Sequence, residues 1–327
     1  MFGKMTRIAL CFALVFSLFA GAQQVAAAEY EVKIAYENNP GEPTDVGVQE
    51  WARILKEISG GKVEAVLYPS SQLGAKKDVL EMILMGSNVI TIADAGFLMD
   101  YVPDIGIMYA PYLTDTYDEY FTLVDSPWFK KQMDAVAGHG FEIVTAKWIY
   151  GDRHLLANKA VKTPKDLAGL KIRTPNMKIL SKTIEYMGGI PTPMPLGEVY
   201  PAIAQGVIDG AENPYPVLWG AKLYEKAKFL TPTAHVKNVS MWLGSHKYFA
   251  SLPPEIAGLI RDAAEKACLF VNENVKKDDV KAIENFRNAG VEIVEPDMEA
   301  FRKAVFPIYE ELWGKELYEE VKKNMTK

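Results

Sequence analysis

The sequence predicts an α/β protein with two lobes and a cleft between them. Strand-like and helix-like segments alternate in two separate sets, which is the order of parallel α/β units. The 327 residues suit one large domain or two medium ones, and 49% apolar with 24% charged residues is typical of a packed globular protein. No low-complexity linker separates the two sets, so we expect the chain to cross between the lobes more than once.

The first 28 residues predict a secretory signal peptide. Lys4 and Arg7 precede an apolar run over residues 8–20, and three alanines occupy positions 26–28. A membrane anchor is the alternative, but this run is shorter than the roughly 20 residues that cross a bilayer. We therefore expect cleavage and a mature protein outside the cytoplasmic membrane that is not itself embedded in it.

The first α/β set follows directly. Apolar alternation over residues 30–36 predicts a strand, and apolar residues at helical spacing predict a helix over 48–58 that ends at two glycines. Residues 63–68 predict a second strand, 76–85 a second helix and 89–93 a third strand.

The second set begins after residue 140. Strands are predicted over 141–148, 170–173 and 207–211, with helices over 176–187 and 197–205. A further helix that starts at a proline is predicted through Trp219 and Tyr224.

Long helices are predicted for the C-terminal part of the chain. From Glu255 about 35 residues run with only Gly258 interrupting, which predicts one very long helix. A last helix is predicted over 298–322.

The charge and the motifs of the sequence argue against several classes of function. The net charge of −6 argues against nucleic-acid binding, which requires a basic surface. Common catalytic motifs do not occur, two cysteines are too few for a thiolate cluster, and the four histidines lack ligand spacing. We therefore predict no catalytic residues, no metal site and no cofactor.

Polar residues at predicted strand ends indicate a binding site. Arg173 ends a strand, where ligands bind in open α/β sheets, and its planar fork suits a carboxylate. A surface salt bridge is the alternative for Arg173, and Asp152 is a possible partner for Arg153. Asn213 follows a strand and precedes a helix, so it either faces a cleft or caps that helix.

These residues lie in ordered segments that resemble one family, the solute receptors of tripartite ATP-independent periplasmic (TRAP) transporters, of the C4-dicarboxylate-receptor (DctP) type. The resemblance spans essentially the whole mature chain. The segments are Ser71-Gln72-Leu73-Gly74, Gly151-Asp152-Arg153, Asn158-Lys159, the run from Pro164 to Arg173, Pro193-Met194-Pro195-Leu196-Gly197-Glu198-Val199-Tyr200, and the run from Gln205 to Pro214.

The resemblance implies a two-lobed periplasmic binding protein in which a very long helix crosses both lobes. It implies that lobe I comprises residues 29–150 with about 239–278, and lobe II residues 151–238 with about 279–327. The implied location is the periplasm. The implied partners are a small organic acid and the membrane subunits of a TRAP permease.

The resemblance also implies the binding residues. Arg173 matches the carboxylate-clamping arginine, Arg153 a second arginine that adds a contact, and Asn213 a cleft asparagine. Further positions fall where other members line the pocket: Glu37, Asn38, Gln72 and the turn from Asp94 to Phe97.

The ligand class stays open between two alternatives. A hydroxylated sugar acid (an aldonate, uronate or keto-gulonate) is favoured, because Glu212 and Asp152 offer acceptors for hydroxyl protons. An aromatic or branched keto or hydroxy acid that fills an apolar pocket is the rival, because Pro214-Tyr215-Pro216 adds no polar group after Asn213. The rings of Trp148, Tyr150, Tyr215 and Trp219 could contact hydroxyls or stack on a ring.

Two other functions fit the same residues. One is an exported enzyme that acts on a sugar acid, with Arg173 orienting the substrate. The other is a ligand-sensing subunit for a membrane kinase.

Overall fold

The computed structural model describes residues 28–326, so the predicted signal peptide lies outside the described residues except for Ala28. Nine strands form one sheet within this range. They are β1 (Tyr30–Ala35), β2 (Val63–Tyr68), β3 (Val89–Ala93), β4 (Phe141–Ala157), β5 (Lys171–Thr174), β6 (Ile190–Pro193), β7 (Gly210–Asn213), β8 (Phe229–Ser245) and β9 (Glu292–Ile293).

Helices pack against the sheet, including its central strand β4. They are α1 (Pro43–Ile58), α2 (Lys76–Leu84), α3 (Ala95–Leu98), α4 (Tyr117–Val124), α5 (Pro127–Gly138), α6 (Lys178–Tyr186), α7 (Val199–Ala204), α8 (Tyr215–Gly220), α9 (His246–Ser251), α10 (Pro254–Asn288), α11 (Met298–Val305), α12 (Ile308–Leu312) and α13 (Gly314–Asn324).

The sheet has a parallel block at each end and an antiparallel pair in the middle. Its order is β2-β1-β3-β8-β4-β7-β5-β6, and β9 pairs with β8. Strands β1, β2 and β3 are parallel to one another, as are β5, β6 and β7. The predicted α/β fold with two lobes is therefore confirmed.

The central strands β4 and β8 join the two blocks. Each is 17 residues long. Phe141 pairs with Ser245 and Ala157 with Phe229, and the register of the pairing shifts at several positions between these two pairs. Both strands pass from one block to the other. The predicted strand over 141–148 was therefore about half its true length, and β8 was not predicted.

Helix α10 runs without a break over 35 residues and connects two hydrophobic cores. Its first half, including Ile260 and Val271, packs with Val48 and Trp51 of α1. Near its end, Phe286 packs in a separate core formed by residues of β7, α8 and β8. The prediction of a very long helix crossing both lobes is confirmed.

The prediction of one continuous helix over 298–322 was wrong. The chain forms three short helices there, because Pro307 follows α11 and Gly314, with φ of 75°, separates α12 from α13. Ile308 and Val321 pack in the same core as residues of β3, α4 and α5. The lobe boundaries implied by the resemblance remain predictions.

Candidate ligand-binding site

A cavity open to solvent, with about 440 Å³ of space including the solvent at its mouth, lies where the carboxyl ends of both parallel blocks meet. This is the position that parallel strand topology favours for ligands. Its lining comes from the ends of β1, β3, β5 and β7 and from the middle of β4 and β8. The lining residues are Glu37, Asn38, Lys76, Ile92, Ala93, Asp94, Phe97, Tyr150, Arg153, Arg173, Pro175, Leu196, Asn213 and Ser240.

Arg173 is a buried cation without a carboxylate partner among residues 28–326. Its side chain lies on β5 and the residue is 3% exposed. Nε and Nη2 both donate to the carbonyl oxygen of Met194, at 3.0 and 2.8 Å, and Nη1 donates to no acceptor in that range. Burial lowers the pKa of Arg173 to about 10, although nearby carboxylates oppose that change. Arg173 therefore forms no direct ion pair with the described residues and keeps unused donors.

Asn213 places an unpaired amide beside this arginine. It ends β7, the neighbour of β5 in the sheet, and lines the same cavity. Its Oδ1 atom is fully buried and accepts no hydrogen bond within the described part of the chain. Because buried polar groups are normally paired, this amide is suited to a ligand that fills the cavity.

Arg153 also lines the cavity, but the protein already uses all its donors. Nε and Nη2 bind the Glu212 carboxylate, Nη2 also donates to the Glu212 carbonyl, and Nη1 donates to Tyr109 and Asn238. Burial would lower the pKa of Arg153, but the Glu212 carboxylate outweighs this effect and raises it. Arg153 is thus a neutralised, structural cation rather than a free second clamp.

The opposite wall carries Asp94, which follows β3. Its Oδ1 accepts hydrogen bonds from Ser240 Oγ at 2.6 Å and Asn238 Nδ2 at 2.9 Å. No hydrogen bond from residues 28–326 reaches Oδ2. The carboxylate is therefore fixed in place while one oxygen remains able to accept a ligand hydroxyl.

Four more polar residues line this wall. Lys76 Nζ lies 3.6 Å from Glu37 Oε2 and donates to the carbonyl oxygen of Ile92. Asn38 Nδ2 donates to the Tyr150 hydroxyl at 3.0 Å. These contacts give the wall both donors and acceptors for hydroxyl groups.

Of the eleven predicted ligand contacts, seven line the cavity and four do not. The seven are Glu37, Asn38, Asp94, Tyr150, Arg153, Arg173 and Asn213. The others are Trp148, Gln72, Tyr215 and Glu212, each of which lies elsewhere for a physical reason.

Trp148 is fully buried and packs edge-on against Trp242, at 5.2 Å between ring centroids. Tyr215 stacks on His154 at 3.8 Å. Gln72 is exposed on a turn away from the lining. Glu212 is fully buried against Arg153, and His235 Nε2 lies 3.2 Å from its Oε2.

Asp152 does not supply the expected hydroxyl acceptor either. It accepts from the Tyr117 hydroxyl at 2.7 Å and pairs with Lys237 Nζ at 3.2 Å. It is absent from the cavity lining.

Sequence reasoning missed Lys76, Ser240 and Leu196. Lys76 opens a helix directly after the Ser71–Gly74 motif, and this proximity was an available signal.

Two further features of residues 28–326 bear on function. No group of three or more His, Cys, Asp or Glu side chains there is arranged to hold a metal ion. No helix there is both long enough and apolar enough to cross a membrane.

These features define a class: a two-lobed protein with a cavity between two parallel blocks that is lined by a buried arginine without an ion pair. The family of bacterial extracellular solute-binding proteins, family 7 (DctP), matches residues 34–316. The chain therefore belongs to this family.

Similar proteins agree with this assignment. A TRAP periplasmic solute-binding protein from Ochrobacterium anthropi, solved with bound L-fuconate, is 43% identical with a TM-score of 0.89 and covers 91% of this chain and 100% of its own. One from Actinobacillus succinogenes with bound L-galactonate is 40% identical, with a TM-score of 0.88 and coverage of 90% and 99%. The sialic acid-binding periplasmic protein SiaP of Vibrio cholerae is 30% identical over 80% of this chain and 81% of its own.

Proposed function

We propose that this chain is a periplasmic receptor that binds a sugar acid and delivers it to a TRAP membrane permease. The observation that carries the proposal is Arg173, a buried guanidinium without a carboxylate partner at the junction of the two parallel blocks. A ligand carboxylate would supply the missing negative charge and accept two parallel hydrogen bonds.

The polarity of the cavity favours a sugar acid over an aromatic or branched acid. Glu37, Asn38, Asp94, Asn213 and Ser240 all contribute polar groups to the lining. Of the rings that the rival ligand needed, Trp148 and Tyr215 pack elsewhere. Relatives solved with L-fuconate and L-galactonate support the same ligand class.

Family membership and the N-terminal sequence support the proposed location and partner. The predicted signal peptide over residues 1–28 supports export, and the family supports a periplasmic location and a TRAP permease partner. We retain residues 29–150 with about 239–278 as lobe I, and 151–238 with about 279–327 as lobe II.

Calorimetry on the purified mature chain tests the ligand class. The panel contains L-galactonate, D-galacturonate, phenylpyruvate and 2-ketoisovalerate. We expect the two sugar acids to bind one-to-one and the two apolar acids to bind at least a hundredfold more weakly. Tighter binding of an apolar acid would refute the proposed class.

The same samples separate a receptor from the other function classes. Mass spectrometry after prolonged incubation with the bound acid should detect no product if the chain is a receptor; turnover would indicate an enzyme. Two permease genes beside this gene would support transport, whereas a membrane-kinase gene alone would support a sensor subunit.

A further inference from the structure

The charges around the cavity are paired at two places and unpaired at two others. Three cations and two carboxylates line it, namely Lys76, Arg153, Arg173, Glu37 and Asp94, and a third carboxylate, Glu212, contacts Arg153 from outside the lining. Lys76 pairs with Glu37, and Arg153 pairs with Glu212. Within residues 28–326, Arg173 and Asp94 form no salt bridge.

These two unpaired charges lie on opposite blocks of the sheet. Arg173 belongs to β5, and Asp94 follows β3. Neither neighbouring cation is available to a second ligand charge on the Asp94 side. Lys76 is held by Glu37 and by the Ile92 carbonyl, and every donor of Arg153 is occupied.

A further buried carboxylate makes this wall unfavourable for negative charge. Glu42 accepts a hydrogen bond from Asn38 Nδ2 at 2.8 Å and forms no salt bridge with the described residues. Burial raises the pKa of Glu42, which reflects the cost of holding a charge at this position.

We propose that the cavity selects acids of a single negative charge, with the carboxylate on Arg173 and a hydroxyl group at Asp94. This inference rests on the proposed function, because it assumes that a sugar acid occupies the cavity. A second carboxylate would face Asp94, while Lys76 and Arg153 are each already paired with another carboxylate, and buried charges are tolerated only when they are paired. A hydroxyl group at that end would instead donate to Asp94.

Calorimetry with three matched compounds tests this selection. L-Galactonate, galactarate and galactitol share one carbon skeleton and carry one, two and no carboxylates. We expect L-galactonate to bind, and galactarate and galactitol each to bind at least a hundredfold more weakly. Galactarate affinity within tenfold of that of L-galactonate would overturn the inference and leave the proposed function intact. Failure of L-galactonate and every other sugar acid to bind would overturn both.

Replacing Asp94 separates charge repulsion from poor fit. Asp94→Asn keeps the shape of the side chain but removes its charge, so the ratio of galactarate to galactonate affinity should rise at least tenfold. Asp134→Asn, an exposed change on α5, is the control and should leave the ratio unchanged. An unchanged ratio in folded Asp94→Asn would contradict the proposal, and the wild-type comparison stands independently if this variant does not fold.

Discussion

Replacing Arg173 by methionine should change ligand affinity and protein stability in different ways. The substitution keeps much of the side-chain volume but removes the charge and all five donors. Truncating one partner of a buried, hydrogen-bonded charge pair typically costs about 2–5 kcal/mol. This corresponds to about a thirtyfold to several thousandfold loss of affinity for a sugar acid.

The stability of the ligand-free protein should not fall in parallel. The decrease of the Arg173 pKa to about 10 means that burial disfavours the charged form, by about 3 kcal/mol. This penalty is fully present at neutral pH, because the group is protonated in both the folded and the unfolded state. Methionine removes it but leaves the Met194 carbonyl unpaired, at a cost of about 1–3 kcal/mol. The two terms leave the free energy of unfolding equal or slightly higher.

Calorimetry and thermal unfolding of the same preparation measure the two effects. The control is Arg53→Met on α1, where the arginine is exposed and pairs with Glu50 and Glu57. This control should bind ligand like the wild type. Binding within threefold of wild type by Arg173→Met would refute the role assigned to this guanidinium. A large loss of Tm in the ligand-free variant would refute the account of its burial.

Three further predictions concern structure around the site. Glu212→Gln should lower the free energy of unfolding by about 3–5 kcal/mol, because it leaves Arg153 buried without its carboxylate. The double variant Arg153→Met/Glu212→Leu should recover most of this loss, as measured by urea titration. Asp279 has a pKa raised to about 7 by burial and then by Asp152, so its charge destabilises the folded state above pH 7 and this effect disappears as the pH falls. Asp279→Asn should therefore raise Tm at pH 8 but not at pH 4, and an equal change at both values would contradict this. Gly47→Ala should cost about 1–3 kcal/mol, since a Cβ there would lie 2.3 Å from Val271; an unchanged Tm would show that α1 and α10 can separate locally.

The sequence predicted those elements whose signal is local. Strand β3 had its predicted bounds because it is a short apolar run buried along its full length. Strand β8 was missed, since His235, Lys237 and Asn238 interrupt its apolar pattern. Two of these polar residues contact Glu212 and Asp94 near the cavity. The strand therefore carries polar residues where a strand in a simple core would carry apolar ones.

The site was predictable where a residue ends a strand of a parallel block. Arg173 and Asn213 were identified from such ends and line the cavity, whereas Asp94, which follows β3 and also lines it, was implied by the family resemblance. The roles of Arg153 and Glu212 were not predictable in this way, because the two residues are 59 positions apart and meet only when β4 pairs with β7. The sequence alone does not show which charged residues form ion pairs in the folded protein.

The distribution of unpaired groups links ligand binding to the arrangement of the two blocks. Arg173 and Asn213 lie on the second block, whereas Asp94 and Asn38 lie on the first. A ligand long enough to contact both sets gains its full hydrogen bonding only when the blocks lie as close together as they do here. Such a ligand stabilises this arrangement relative to a more open one by its additional contacts. A bare carboxylate such as acetate contacts Arg173 alone, so it should occupy the site without stabilising the same arrangement.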